Sequence, residues 1–151
     1  MTIRVGINGF GRMGRLSFRV GFPSDEIEFV HINDPAGDAK TFAHLLNFDS
    51  VHGQWGFEAS SAEDKLCVDG TVISTSRNSK IEQTDWSGCD IVIEASGRFK
   101  SKALLQAYLD QGVKRVIVTA PVKEEGVLNV VLGVNDDVYD KEQHRIVTAA
   151  S

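Results

Sequence analysis

Short apolar runs alternate along this chain with stretches in which apolar residues recur three or four places apart. Residues 3–7 (Ile-Arg-Val-Gly-Ile) form a run of the kind that builds a strand buried on both faces. Leu16 and Val20 then stand at helical spacing in a segment that opens at Arg12 and is stopped by Gly21 and Pro23. Residues 28–32 predict a second strand, which completes a strand–helix–strand unit. Beyond Pro35, Phe42, Leu45 and Leu46 give residues 38–48 a helical period, with Asp38 as the N-cap. Residues 66–68 and 71–73 flank Asp69-Gly70, the sharpest hairpin signal in the chain. Strands are further predicted at 91–93, 116–118, 130–132 and 146–147, and a helix at 101–109 carrying Leu104, Leu105, Tyr108 and Leu109. Strands alternating with helices predict an α/β fold, a doubly wound and mostly parallel sheet with helices on both faces.

The first strand runs directly into Asn8-Gly9-Phe10-Gly11-Arg12-Met13-Gly14, and the helix opens inside that glycine pattern. Three glycines at this spacing are common by chance; their position between strand and helix makes them informative. Gly9 permits a tight turn, Gly11 lets a pyrophosphate approach the backbone, and Gly14 lets helix and strand pack closely. The free N–H groups and positive dipole end at Arg12 and Met13 then face the anion. Asn33-Asp34 ends the second strand about 20 residues past the third glycine, where an acid accepts from the ribose hydroxyls of an adenosine. A 2′-phosphate would meet that carboxylate with no basic residue beside it, so NAD is favoured over NADP. Ligands of doubly wound sheets lie along the carboxyl ends of the strands, which here also carry Ala95-Ser96-Gly97 and Thr119-Ala120-Pro121. Ser96 and Gly97 would allow close approach near the middle of a dinucleotide, and Thr119 and Ala120 would face its nicotinamide half. Each of these strand ends also reads as an ordinary turn into a loop.

Composition narrows the choice. The chain has 151 residues, 42% hydrophobic and 25% charged, with a formal net charge of −5. That balance is typical of a globular domain and argues against disorder and against a basic nucleic-acid module. The length suits one domain, residues 1–151, with one self-supporting core. No apolar stretch approaches the ~18 residues of a membrane span, and the opening run is too short for a signal peptide. Cys67 and Cys89 lie too far apart for a CxxC motif and read as thiols in a reducing cytoplasm. His31, His44 and His144 lack metal spacing and read as surface or satisfied strand residues. Asp49-Ser50-Val51-His52-Gly53 holds the residue types of a hydrolase triad, yet sequence neighbours do not easily take that geometry. Glu124-Glu125 and Asp136-Asp137 read as solvated acidic pairs. The chain stops at Ser151 right behind an apolar run, which reads as a cut rather than a natural end.

The ordered set of motifs resembles the N-terminal NAD-binding domain of glyceraldehyde-3-phosphate dehydrogenase. Residues 5–15 carry it first, followed by Ile32-Asn33-Asp34, residues 45–53 (Leu-Leu-Asn-Phe-Asp-Ser-Val-His-Gly), Val92-Ile93-Glu94-Ala95-Ser96-Gly97 and Gly133-Val134-Asn135. The resemblance covers essentially the whole chain. It implies a Rossmann domain that binds NAD through Arg12 and Met13 at the pyrophosphate, Asp34 at the adenosine ribose, Arg77 on the adenine side and Thr119 on the nicotinamide side. The chain departs from the family with Met13 for Ile, Thr119 for Ser, Ala95-Ser96 where the family carries a Thr, and residues 122–127 for a Ser-rich loop. The segment 33–55 and the ending 147–150 are similar to the dehydrogenases linked to arsenate resistance. In the family, Ser151 opens a Ser-Cys-Thr-Thr-Asn-Cys motif whose first Cys attacks the aldehyde, while a His of a second domain is the base. The resemblance therefore implies a homotetrameric parent enzyme acting on glyceraldehyde 3-phosphate with phosphate or arsenate, and a catalytic domain absent from this chain. Erythrose 4-phosphate or semialdehyde dehydrogenases, and a stand-alone NAD-binding module, share enough of the pattern to remain open alternatives.

Overall fold

The N-terminal apolar run occupies the middle of the sheet, as burial on both faces requires. In the computed structural model, which describes residues 2–48, 55–130 and 136–149, β1 (Ile3–Asn8) pairs in parallel with β2 (Ile27–Asn33) on one side and β6 (Ile91–Glu94) on the other. The remaining strands are β3 (Ala59–Ala62), β4 (Lys65–Val68), β5 (Thr71–Ser76), β7 (Arg115–Val118), β8 (Leu128–Val130) and β9 (Ile146–Ala149). Among the described residues they form one sheet in the order β3-β4-β5-β2-β1-β6-β7-β9-β8. All neighbours are parallel except β3/β4 and β4/β5.

Alternation along the strands feeds two cores. Val5, Ile7, Phe29 and Ile32 point to one face, where Phe18 of α1 (Arg12–Gly21) and Phe42 and Leu46 of α2 (Ala39–Asn47) cover them. Val92, Val116 and Val118 point to the other, against Trp86 and against Leu105 and Tyr108 of α3 (Lys102–Asp110). Helices thus lie on both faces of a mostly parallel sheet, the arrangement of a Rossmann-type α/β fold. The expected cap at Asp38 accepts from the Thr41 amide at 2.9 Å, and α3 is capped in the same way by Ser101, which accepts from the Leu104 amide at 3.2 Å. Asp69 and Gly70 join β4 to β5 with φ of 46° and 80°, the paired positive values of a two-residue hairpin turn.

One strand was not anticipated and one expectation needs adjustment. Strand β3 has no apolar period, since only Ala59 of Ala-Ser-Ser-Ala is buried. It is seated by Asn47 at the end of α2, whose side chain donates to the Ala59 carbonyl and accepts from its amide at 2.8 and 2.9 Å. The strand expected at 130–132 begins earlier, at Leu128, because Asn129 accepts from the Thr148 hydroxyl of the neighbouring β9 at 2.6 Å; residues 131 and 132 lie outside the described residues. Residues 49–53, 133–135 and Ser151 lie outside them too. No helix among the described residues is long and apolar enough to cross a membrane.

Candidate functional site

From β1 the chain moves through α1 to β2, and from β5 it returns across the sheet to β6 on the other side of β1. The carboxyl ends of β1 and β6 are therefore the topological switch point, where doubly wound sheets take their ligands. A cavity of about 310 Å³ opens there, lined by Gly9, Gly11, Asp34, Ala36, Ser96 and Arg98 among others. A second, of about 190 Å³, shares Gly11, Asp34 and Ala36 and extends to Phe10 and Thr41. Two cavities of about 340 Å³ lie elsewhere, around Phe22 and Phe57 and around Ile3 and Tyr139. Neither combines a glycine turn, a helix N-terminus and strand carboxyl ends.

The three glycines divide sharply. Gly9 has φ of +98°, and a Cβ there would stand 2.4 Å from the Ser96 amide nitrogen. A Cβ on Gly14 would stand 2.0 Å from the Gly9 carbonyl oxygen. Both lack side chains because the protein's own backbone occupies the space. Gly11 is different: its φ of −76° suits any residue, and a Cβ there would meet nothing within 4 Å. Internal packing does not call for a glycine at this position, which faces both cavities at the start of α1. The amides of Arg12, Met13 and Gly14 follow, and first-turn amides have no acceptor within their own helix. Both Arg12 and Met13 are exposed at this end.

Asp34 stands across the opening. Its Oδ2 accepts from the Phe10 amide at 2.7 Å and its Oδ1 from the Ala36 amide at 2.8 Å, so the carboxylate is fixed to the glycine turn and leaves lone pairs free for a ligand. Asn8 and Asn33, also expected at the site, are 3% and 2% exposed and turn their side chains inward. Asn33 donates to Asn8 Oδ1 at 2.9 Å and accepts from the Ser76 hydroxyl at 2.6 Å. Asn8 donates to the Tyr108 hydroxyl at 2.7 Å and to Glu94 Oε1 at 3.1 Å. The network reaches His31, whose ring nitrogens meet the hydroxyls of Ser74 and Ser76 at 2.6 and 2.7 Å and whose edge meets Trp86. Burial, reinforced by the charge of Lys65, lowers the His31 pKa to about 4.

The other expected residues spread along the same edge. Arg77 is exposed just past β5, the neighbour of β2, and its charge helps hold the Asp38 carboxyl below its ordinary range after the Thr41 hydrogen bonds. Ser96 and Gly97 form the turn after β6, with Gly97 at φ of +74°. Thr119 follows β7 and donates its amide to the Glu94 carbonyl at 3.1 Å, with Ala120 beside it. Neither Arg77, Thr119 nor Ala120 lines the two cavities at the switch point. Sequence reasoning missed Arg98, which lines the larger cavity, and Glu94, which ends a wholly apolar run. A carboxylate closing a strand buried on both faces was the available signal, because such a charge is retained only with partners.

Comparison with known proteins bears on this geometry. The family described as "Glyceraldehyde 3-phosphate dehydrogenase, NAD binding domain" matches residues 3–102. Over its whole length the chain is 51% identical to glyceraldehyde-3-phosphate dehydrogenase 3 of Nostoc sp., covering 45% of that protein. It is 42% identical to glyceraldehyde-3-phosphate dehydrogenase of Geobacillus stearothermophilus and 43% identical to that of Streptomyces coelicolor, again covering 45% of each. The chain thus spans a little under half the length of the curated relatives it matches.

Proposed function

Because this chain belongs to the glyceraldehyde-3-phosphate dehydrogenase family and is its NAD-binding domain, we propose that the switch-point crevice holds the dinucleotide and that the parent protein oxidises glyceraldehyde 3-phosphate. In this reading the amides of Arg12 and Met13 hold the pyrophosphate and Asp34 the adenosine ribose. Arg77 lies on the adenine side, while Ser96, Gly97, Thr119 and Ala120 line the path to the nicotinamide. Bound NAD supplies the hydride acceptor, and phosphate or arsenate takes the acyl group.

In this reading the nucleophile and base come from the part of the relatives' length that this chain does not cover. Neither thiol of the chain suits nucleophilic attack, since burial pushes Cys89 up to about 12, and Cys67 lies on β4, with β5 and β2 between it and β1. The domain by itself is therefore expected to bind NAD without oxidising the aldehyde. The parent enzyme is placed in the cytoplasm, a reading supported by two free cysteines, and as a homotetramer, which rests on the family resemblance.

One observation carries the cofactor assignment to this crevice: Gly11 lacks a side chain where the protein has room for one. Gly11→Ala should leave thermal stability close to the original, because the Cβ meets nothing and φ is ordinary. It should weaken NAD by about tenfold or more, as a methyl displaces a charged hydrogen-bonded group from the backbone. Calorimetric titration with NAD beside a thermal melt reads both; unchanged affinity would remove the pyrophosphate from this turn. Gly14→Ala is the contrast, expected to destabilise strongly.

A further inference from the structure

We propose that Glu94 is a positioning residue of the cofactor crevice, its buried carboxylate tying together the two strand ends that form the crevice walls. The inference rests on the reading of the switch point as the NAD site. Each oxygen of Glu94 serves one wall. Oε2 accepts from the Ser96 amide at 2.9 Å and from the Ser96 hydroxyl at 2.5 Å, which fixes the turn after β6. Oε1 accepts from Asn8 Nδ2 at 3.1 Å and from the Tyr108 hydroxyl at 2.6 Å, and Asn8 immediately precedes Gly9. The two walls touch where a Cβ on Gly9 would meet the Ser96 backbone. Glu94 itself is 1% exposed, so this carboxylate acts from behind the crevice without reaching a ligand.

Four donors surround the two oxygens, and on each side one of them is an N–H that cannot accept, an environment that favours the carboxylate anion over a neutral substitute. Glutamine would turn its NH2 toward an N–H donor on whichever side it faced, the Ser96 amide or Asn8 Nδ2, and would weaken either the Ser96 turn or the Asn8 side. A protonated Glu94 has the same defect on one oxygen. Burial pushes its pKa up, and the bonds from Ser96, Tyr108 and Asn8 oppose that rise. Cofactor affinity should therefore decline on acidification from above the ordinary carboxylate range.

The groups packed around Glu94 do not obscure that titration. From α3, Tyr108 has its pKa pushed up by burial and by Glu94 itself; the nearby Cys89 is held at about 12. His31, reached through Ser76, Asn33 and Asn8, titrates at about 4. Asp34 also faces the crevice, from β2, but Tyr108 does not contact it.

The test is NAD binding by the full chain, measured by titration calorimetry from pH 5 to 8 beside a thermal melt. Glu94→Gln should weaken NAD by about tenfold at pH 8, the loss of one charged hydrogen-bonded contact, and should bind with a flattened pH profile. Tyr108→Phe keeps the ring against Trp86 and removes one donor to the anion, so the midpoint of the acid limb should move to higher pH. A folded Glu94→Gln chain with the original affinity and profile would overturn the proposal. So would a Tyr108→Phe chain whose midpoint does not move, and this second variant decides the matter if Glu94→Gln does not fold. If the unmodified chain fails to bind NAD, the crevice reading falls, and this inference with it.

Discussion

At the scale of single residues, the two acids at the crevice differ in how they could be recognised. Asp34 was legible because its chemistry is tied to a spacing: an acid after the second strand, about 20 residues past the glycines. Its geometry explains the consequence of losing it. Asp34→Ala removes the acceptor for a ribose and strands the Phe10 and Ala36 amides that its carboxylate now satisfies. NAD affinity is expected to fall by about tenfold to a hundredfold, the range for a hydrogen bond to a charged group. NADP should lose less, since the 2′-phosphate no longer meets a like charge while Arg98 still lines the cavity. Parallel titrations with both dinucleotides measure the two changes, and an unaltered NAD affinity would reduce Asp34 to a clamp on the glycine turn. Glu94 carried no such spacing. Its role depends on partners 86 and 14 residues away, Asn8 and Tyr108, which only the folded sheet brings together.

Among elements, legibility followed local chemistry. The β4–β5 hairpin was readable from Asp69-Gly70 because two consecutive positive φ values leave few residue choices. Helix α2 was readable from its apolar period and from Asp38, whose side chain replaces a missing backbone acceptor, and α3 from the spacing of Leu104, Leu105, Tyr108 and Leu109. Strand β3 was not, since its place depends on the Asn47 clamp rather than on its own residues. The pairing of β2 with β5 carries a hidden titration of the same kind. His31 of β2 sits between Ser74 and Ser76 of β5, and a neutral ring accepts through one nitrogen and donates through the other. Its folded pKa of about 4 lies below the ordinary 6.5, so the unfolded chain takes up a proton first as pH falls. The contribution to stability is complete above pH 6.5 and is lost progressively between pH 6.5 and 4. The melting temperature should fall across that window, and His31→Asn should flatten the fall; equal slopes for both chains would exclude His31 as its source.

For the whole molecule, alternation of strands and helices was enough to indicate the two-faced sheet, and ordered motifs were enough to indicate the cofactor. The unequal covering of the faces was not legible, because apolar residues in a buried strand look alike on either side. One face is filled by α3 beneath β6, β7 and β9. On the opposite face α1 and α2 cover the β1–β2–β5 half; Ile91 and Ile93 of β6 pack against the edge of that core and stay part-exposed, as do Ile117 and Val147 on the β7–β9 half. Among the described residues no helix lies over that half. A contiguous apolar strip along parallel strands favours burial against another surface, and in a dilute solution of this chain the available surface is a second copy. Association that binds the folded chain and not the unfolded one raises the melting temperature with concentration by mass action. Melts from about 1 to about 100 μM should therefore shift upward by a few degrees. Replacing Ile117 and Val147 by threonine should abolish the shift, because those positions carry the strip and make no part of the α3 core. A melting temperature independent of concentration would show that the strip is satisfied within a single copy.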